Sequence, residues 1–231
     1  MREKIKKIIN VSKRHWLGIL LALLVGIVTI SPNLIFIMKL GDEYKGLYIM
    51  KADAHPYYIS RIKEMYEGNG MTNPYIYEYK FNTLPATPIF GAYPIAIVGK
   101  ILGVKAENIA LMSTFVIPIL VALLVYSFGF LLTKRPLFAL LLSGLIMFGT
   151  ILFNMEDLLH LFRGELVYTQ LTIWTRPILP TISFLVFFLY LNVLYKALET
   201  KSNKWFGVLA LVYGLSFYTY LYCFLFLSLF V

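Results

Sequence analysis

Residues 109–133 read IALMSTFVIPILVALLVYSFGFLLT, twenty-five positions without a charge. Coiled as a helix at about 1.5 Å per residue, this stretch exceeds the hydrocarbon core of a bilayer, about 30 Å. In lipid each unpaired backbone amide costs several kcal/mol, so a spanning segment of this kind must be helical. Four further uncharged apolar runs occupy 16–38, 137–153, 177–195 and 205–231. The run at 137–153 is the shortest, and the last is long enough to span with tilt. These runs predict an all-α, polytopic membrane protein with about five transmembrane helices in a single transmembrane domain, residues 1–231.

Composition agrees. The chain has 231 residues, of which 59% are apolar and 14% charged, with a mean hydropathy of +0.75. Soluble domains run about 45–50% apolar and about 25% charged, so an ordinary soluble domain, a disordered chain and a coiled coil are excluded. The single cysteine, Cys223, rules out an intrachain disulfide framework. The run at 16–38 follows a basic segment, as in a signal peptide, but exceeds the h-region length of about 7–15 residues and lacks a small-residue cleavage site. It reads as an uncleaved first span.

The net charge of +9 is distributed unevenly. With a cytoplasmic N-terminus, the inner segments carry eleven bases, including Arg2, Lys4, Arg14, Lys134 and Lys204, against Glu3 and Glu199. The outer segments carry ten bases and ten acids. This asymmetry is the positive-inside bias of a multi-pass cell-membrane protein; nucleic-acid binding has no support. The inner Lys and Arg residues read as topology anchors, and membrane lipids are among the partners expected for the chain. The last run ends at Leu229-Phe230-Val231 without a polar flank, which predicts a chain cut short at its C-terminal side.

Two outer loops remain, 39–108 and 154–176. In the first, residues 56–67 (PYYISRIKEMYE) predict a short amphipathic helix. Tyr58, Ile59, Ile62, Met65 and Tyr66 form its apolar stripe, while Arg61, Glu64 and Glu67 face elsewhere. Pro56 suits the first turn and Gly68-Asn69-Gly70 the stop. Residues 89–104 are apolar but too short to span, and predict an interfacial segment. Residues 154–176 predict a second amphipathic helix followed by an aromatic-rich lead into the fourth span.

These loops hold the residues able to do chemistry. In the first, Asp53 precedes Tyr57-Tyr58 and Arg61; its carboxylate is suited to taking a proton, holding a divalent metal or orienting a hydroxyl, or simply to capping the helix. In the second, Glu156, His160 and Arg163 share a helical face and Asp157 lies one turn from His160. That set suits a hard or borderline cation, or a solvated helix face. Arg176 suits bidentate phosphate binding or snorkelling to headgroups. No span carries a charge at its centre, which argues against a proton-coupled carrier.

The string D-A-H-P-Y-Y-I-S-R-I-K-E-M-Y-E-G-N-G, in a long loop directly after the first span, resembles the membrane glycosyltransferases of the GT-C fold. In oligosaccharyltransferase catalytic subunits that loop carries an Asp, an aromatic pair, an Arg and a small-residue stop. Asp53, Tyr57-Tyr58, Arg61 and Asn69-Gly70 stand in those places. Protein O-mannosyltransferases and aminoarabinose transferases are similar in carrying acidic motifs there. The resemblance implies a sugar transferred from a polyprenyl-phosphate-linked donor to an acceptor at the extracytoplasmic face. It implies Asp53, Glu156 and Asp157 as catalytic residues and Tyr57, Tyr58, Arg61, His160, Arg163 and Arg176 as substrate-binding residues. Where a divalent cation (Mg or Mn) is used, Asp53, Glu156 and Asp157 are its ligands. The alternatives are a non-catalytic membrane subunit or scaffold and, behind it, a small-solute transporter.

Overall fold

A computed structural model describes residues 2–46, 54–69, 90–153, 155–163, 173–175 and 178–230. Side chains are described for these except 2–13, 54–57, 150–153, 155, 157, 158, 161, 175 and 230. Among the described residues there is no strand. The helices are α1 (Arg2–Leu40), α2 (Ala54–Tyr66), α3 (Ala92–Leu102), α4 (Ala106–Thr133), α5 (Pro136–Phe153), α6 (Met155–Phe162), α7 (Thr181–Thr200), α8 (Asn203–Phe217) and α9 (Leu221–Leu227). Three are long and apolar enough to cross a membrane: Arg14–Glu43, Ala106–Thr133 and Thr181–Thr200. α3 and α5 are shorter apolar helices.

The bundle is built on α4, which packs against α1, α5 and α7 and also meets α2 and α3. α1 turns Ala22, Val25, Thr29 and Asn33 inward, at helical spacing, and leaves Leu20, Leu24 and Ile27 exposed. Large apolar side chains on the outer face are the pattern of helices whose solvent is lipid. Dispersion and close packing, rather than a hydrophobic force between helices, must then hold such helices together. Gly26 supplies closeness: a Cβ there would come within 2.7 Å of Ile119.

Prolines inside α1 and α4 each free a backbone carbonyl four residues earlier, and each is answered. Pro32 leaves the Val28 carbonyl, to which Ser31 Oγ donates at 2.9 Å. Pro118 leaves the Thr114 carbonyl, and Thr29 Oγ1 of α1 reaches it at 2.9 Å. Two more side chains donate to the α4 backbone: Ser143 of α5 to Ala122 at 3.0 Å and Asn192 of α7 to Leu124 at 3.0 Å. Polar groups thus act as interhelical ties where water is absent.

Two sequence expectations change. The apolar run 205–231 does not form one helix: α8 ends at Phe217 and α9 begins at Leu221. Tyr220 between them is extended, and the hydroxyls of Ser216 and Thr219 bond back to the Tyr213 and Ser216 carbonyls. Tyr218-Thr219-Tyr220 is a run of aromatic and β-branched residues with weak helix preference, and hydropathy alone does not register it. The helix that carries the first span also continues beyond it, back to Arg2, through a non-helical residue, His15 (φ −113°, ψ 16°), while the apolar span itself begins at Arg14.

Candidate functional site

α2 forms where expected and stops as expected. Gly68 takes a positive φ of 89°; its N–H bonds the Met65 carbonyl at 3.3 Å, and Asn69 N–H bonds the Glu64 carbonyl at 2.9 Å. This pair of bonds is the Schellman termination that glycine allows. α3 ends the same way at Gly103, with Val104 N–H on the Gly99 carbonyl at 3.0 Å. Tyr66 ties the two ends together by donating from Oη to the Val104 carbonyl at 2.8 Å. A Cβ at Gly99 would run into that same hydroxyl.

Against α3 and α4, α2 buries Tyr58, Arg61, Ile62 and Met65. Arg61 is therefore not turned away from the stripe: it is 3% exposed. The geometry explains why. At about 100° per residue, Arg61 lies beside Tyr58 and Met65 on the helix surface, within the arc that Ile62 closes on the other side. Glu67, by contrast, is exposed. A guanidinium withdrawn from water demands hydrogen-bonding partners, so burial makes this arginine a structural as well as a chemical commitment. Burial of Tyr66, with Glu107 adding to it, holds the phenol above its ordinary pKa.

α6 carries the second constellation on a different support, α5. Its Glu156 side chain is 83% exposed, with Oε1 3.9 Å from Nε2 of His160, one turn along. Arg163 follows the helix and is exposed. Asp53 and Arg176 lie outside the described residues, as do the side chains of Tyr57 and Asp157. Among the described residues no group of three His, Cys, Asp or Glu is arranged to hold a metal. Glu156 and His160 alone fall short of the six or so oxygen ligands a hard cation takes.

A further feature was not anticipated from sequence. α3, α4 and α7 enclose an apolar groove of about 370 Å³. Pro94 and Val98 of α3, Met112 and Val116 of α4, and Ile182 and Leu185 of α7 line it, and Ser113 contributes almost its only polar character. Ligand clefts fall at about 300–1,000 Å³. Its walls come from three separate apolar segments, and hydropathy cannot show how they are spaced. No family model, curated protein or solved structure matches the chain.

Proposed function

We propose that this is a multi-pass membrane glycosyltransferase of the GT-C kind, with a cytoplasmic N-terminus, using a sugar donor linked to a polyprenyl phosphate. The apolar groove carries this reading. A lining of hydrocarbon side chains selects a hydrocarbon chain, and α3 and α4, which supply two of the groove's walls, also carry α2, the helix whose sequence bears the glycosyltransferase-like string. In this assignment the acceptor oxygen attacks the anomeric carbon as the bond from that carbon to the phosphate oxygen breaks. The electron pair leaves with the phosphate, and the acceptor proton passes to Asp53. Arg163 and Arg176 balance the phosphate charge, while Arg61, buried, helps to hold α2 against α3 and α4. Tyr57 packs the donor, Tyr58, buried, holds α2 against α3 and α4, and Glu156, Asp157 and His160 orient groups from the second loop. When a divalent cation is bound, Asp53, Glu156 and Asp157 supply its carboxylates, and it adds charge stabilisation at the phosphate.

The test is transfer from polyprenyl-phosphate sugars by membranes carrying the wild type or Asp53→Asn. The asparagine keeps capping ability but not basicity. A loss of about 10²–10⁴-fold is expected for a general base. Equal transfer by both proteins would remove Asp53 from the chemistry, and no transfer by the wild type would overturn the reading.

A further inference from the structure

One end of the bundle collects bases that the glycosyl-transfer reading does not use. His15 Nδ1 lies 2.8 Å from Tyr126 Oη, and the Arg14 guanidinium sits 5.6 Å from the centre of the Phe130 ring. These contacts bring the start of the first span to the C-terminal end of α4. There the α4–α5 turn holds Lys134 and Arg135, both exposed. Lys134 reaches across to the end of α7: its Nζ lies 3.7 Å from Glu199 Oε1 and 5.1 Å from the centre of the Tyr195 ring. Glu199 also receives Lys196 at 2.9 Å. Lys201 and Lys204, exposed, continue the line into α8. Among the residues whose side chains are described, six bases from three separate segments thus gather at this end with one acid, Glu199, which two of them share. The opposite end, by contrast, mixes Lys39, Lys100 and Lys105 with Asp42, Glu43 and Glu107.

We propose that this basic collar is a docking surface for anionic phospholipid headgroups, drawn from the leaflet that this end of the bundle faces. The inference rests on the helices lying in a bilayer, and on nothing about catalysis. Charge complementarity selects the occupant. Trp16 and Trp205, at the same end, place aromatic rings at headgroup level, where indoles settle. Arg14 and Trp16 are exposed, so the collar faces outward toward lipid rather than into the bundle.

The experiment uses the full chain in phosphatidylcholine vesicles containing a trace of acyl-brominated phosphatidylglycerol or, in parallel, acyl-brominated phosphatidylcholine. Trp16 and Trp205 report which lipid stands beside the collar; Trp174 is buried and supplies background. A base near an anionic surface contributes about a fivefold factor. The brominated anionic lipid is therefore expected to quench at least about fivefold more efficiently per mole. Raising the salt concentration should erase the preference, as should combining Arg14→Gln, Lys134→Gln, Arg135→Gln, Lys201→Gln and Lys204→Gln. If that variant loses its helical circular dichroism, the wild-type salt titration decides alone. Equal quenching by the two lipids at low salt would overturn the proposal, and so would a preference that survives high salt. Release of the anionic lipid by inorganic phosphate, beyond what chloride achieves at equal ionic strength, would assign the collar to a soluble anion and overturn it as well.

Discussion

Thr29 Oγ1 lies 2.9 Å from the Thr114 carbonyl, the one carbonyl of α4 that Pro118 deprives of its helical donor. Both threonines are buried. The proline that weakens one helix therefore creates the acceptor by which another is fastened to it.

Thr29→Val keeps the shape and removes the donor. The expected cost is about 0.6–1.7 kcal/mol, the range of side-chain hydrogen bonds between membrane helices. In a Pro118→Ala background the restored backbone N–H serves the Thr114 carbonyl, and the cost of Thr29→Val should shrink. Reversible unfolding in mixed detergent micelles measures the cycle; equal costs in both backgrounds would separate the proline from the tie.

The Tyr66 phenol is held above its ordinary pKa of about 10 by burial, with Glu107 adding to the effect. Folding favours its protonated form. The contribution is complete below the ordinary pKa and is lost as pH rises through the folded one. Wild-type stability should fall more steeply in alkali than that of Tyr66→Phe, which has no proton to lose. Unfolding midpoints compared across the tyrosine range would show it, and parallel curves would refute it.

Val116 lines the groove and is itself exposed, so Val116→Trp fills the space without crowding the core. On the proposed function this variant raises KM for a long-chain polyprenyl donor while leaving kcat nearly intact. A truncated donor with a short chain should be used equally well by both proteins. Equal KM values for the long donor would place the chain elsewhere.

Orientation is read by cysteine labelling in a Cys223→Ser background. A cysteine at Gly70 should react with an impermeant maleimide from outside, and one at Ser202 only after the membrane is opened. The reverse pattern would invert the proposed topology, with the basic collar then facing outward.

The long helices were legible because each depends on one property, uninterrupted apolar length, that lipid enforces directly. α2 was legible too, from its stripe and from Gly68. Arg61 was misplaced because a polar residue is sorted outward by its type, whereas its position on the helix surface lies inside the buried arc. The break at Tyr218–Tyr220 escaped because hydropathy does not distinguish a good helix former from a β-branched or aromatic residue. The groove depends on the separation of three helices, which side-chain size sets only after packing. The tie from Thr29 to Thr114 needed the proline, the carbonyl and the neighbouring helix to be seen together.

The direction of the ties to α4 has a further meaning for how the chain is assembled. Ser143 and Asn192 each donate to a backbone carbonyl of a helix that precedes them, at Ala122 and Leu124. During synthesis α4 leaves the ribosome before α5 and α7, carrying its acceptors already formed. Each later helix reaches the bilayer with its donor and finds the matching oxygen waiting. Only Thr29, made first, must wait for its partner, and it meanwhile rests on the Val25 and Gly26 carbonyls of its own helix, at 3.0 and 2.9 Å. The fold can thus be completed in the order in which it is translated, each donor of these ties finding its acceptor as the later helix of the pair arrives.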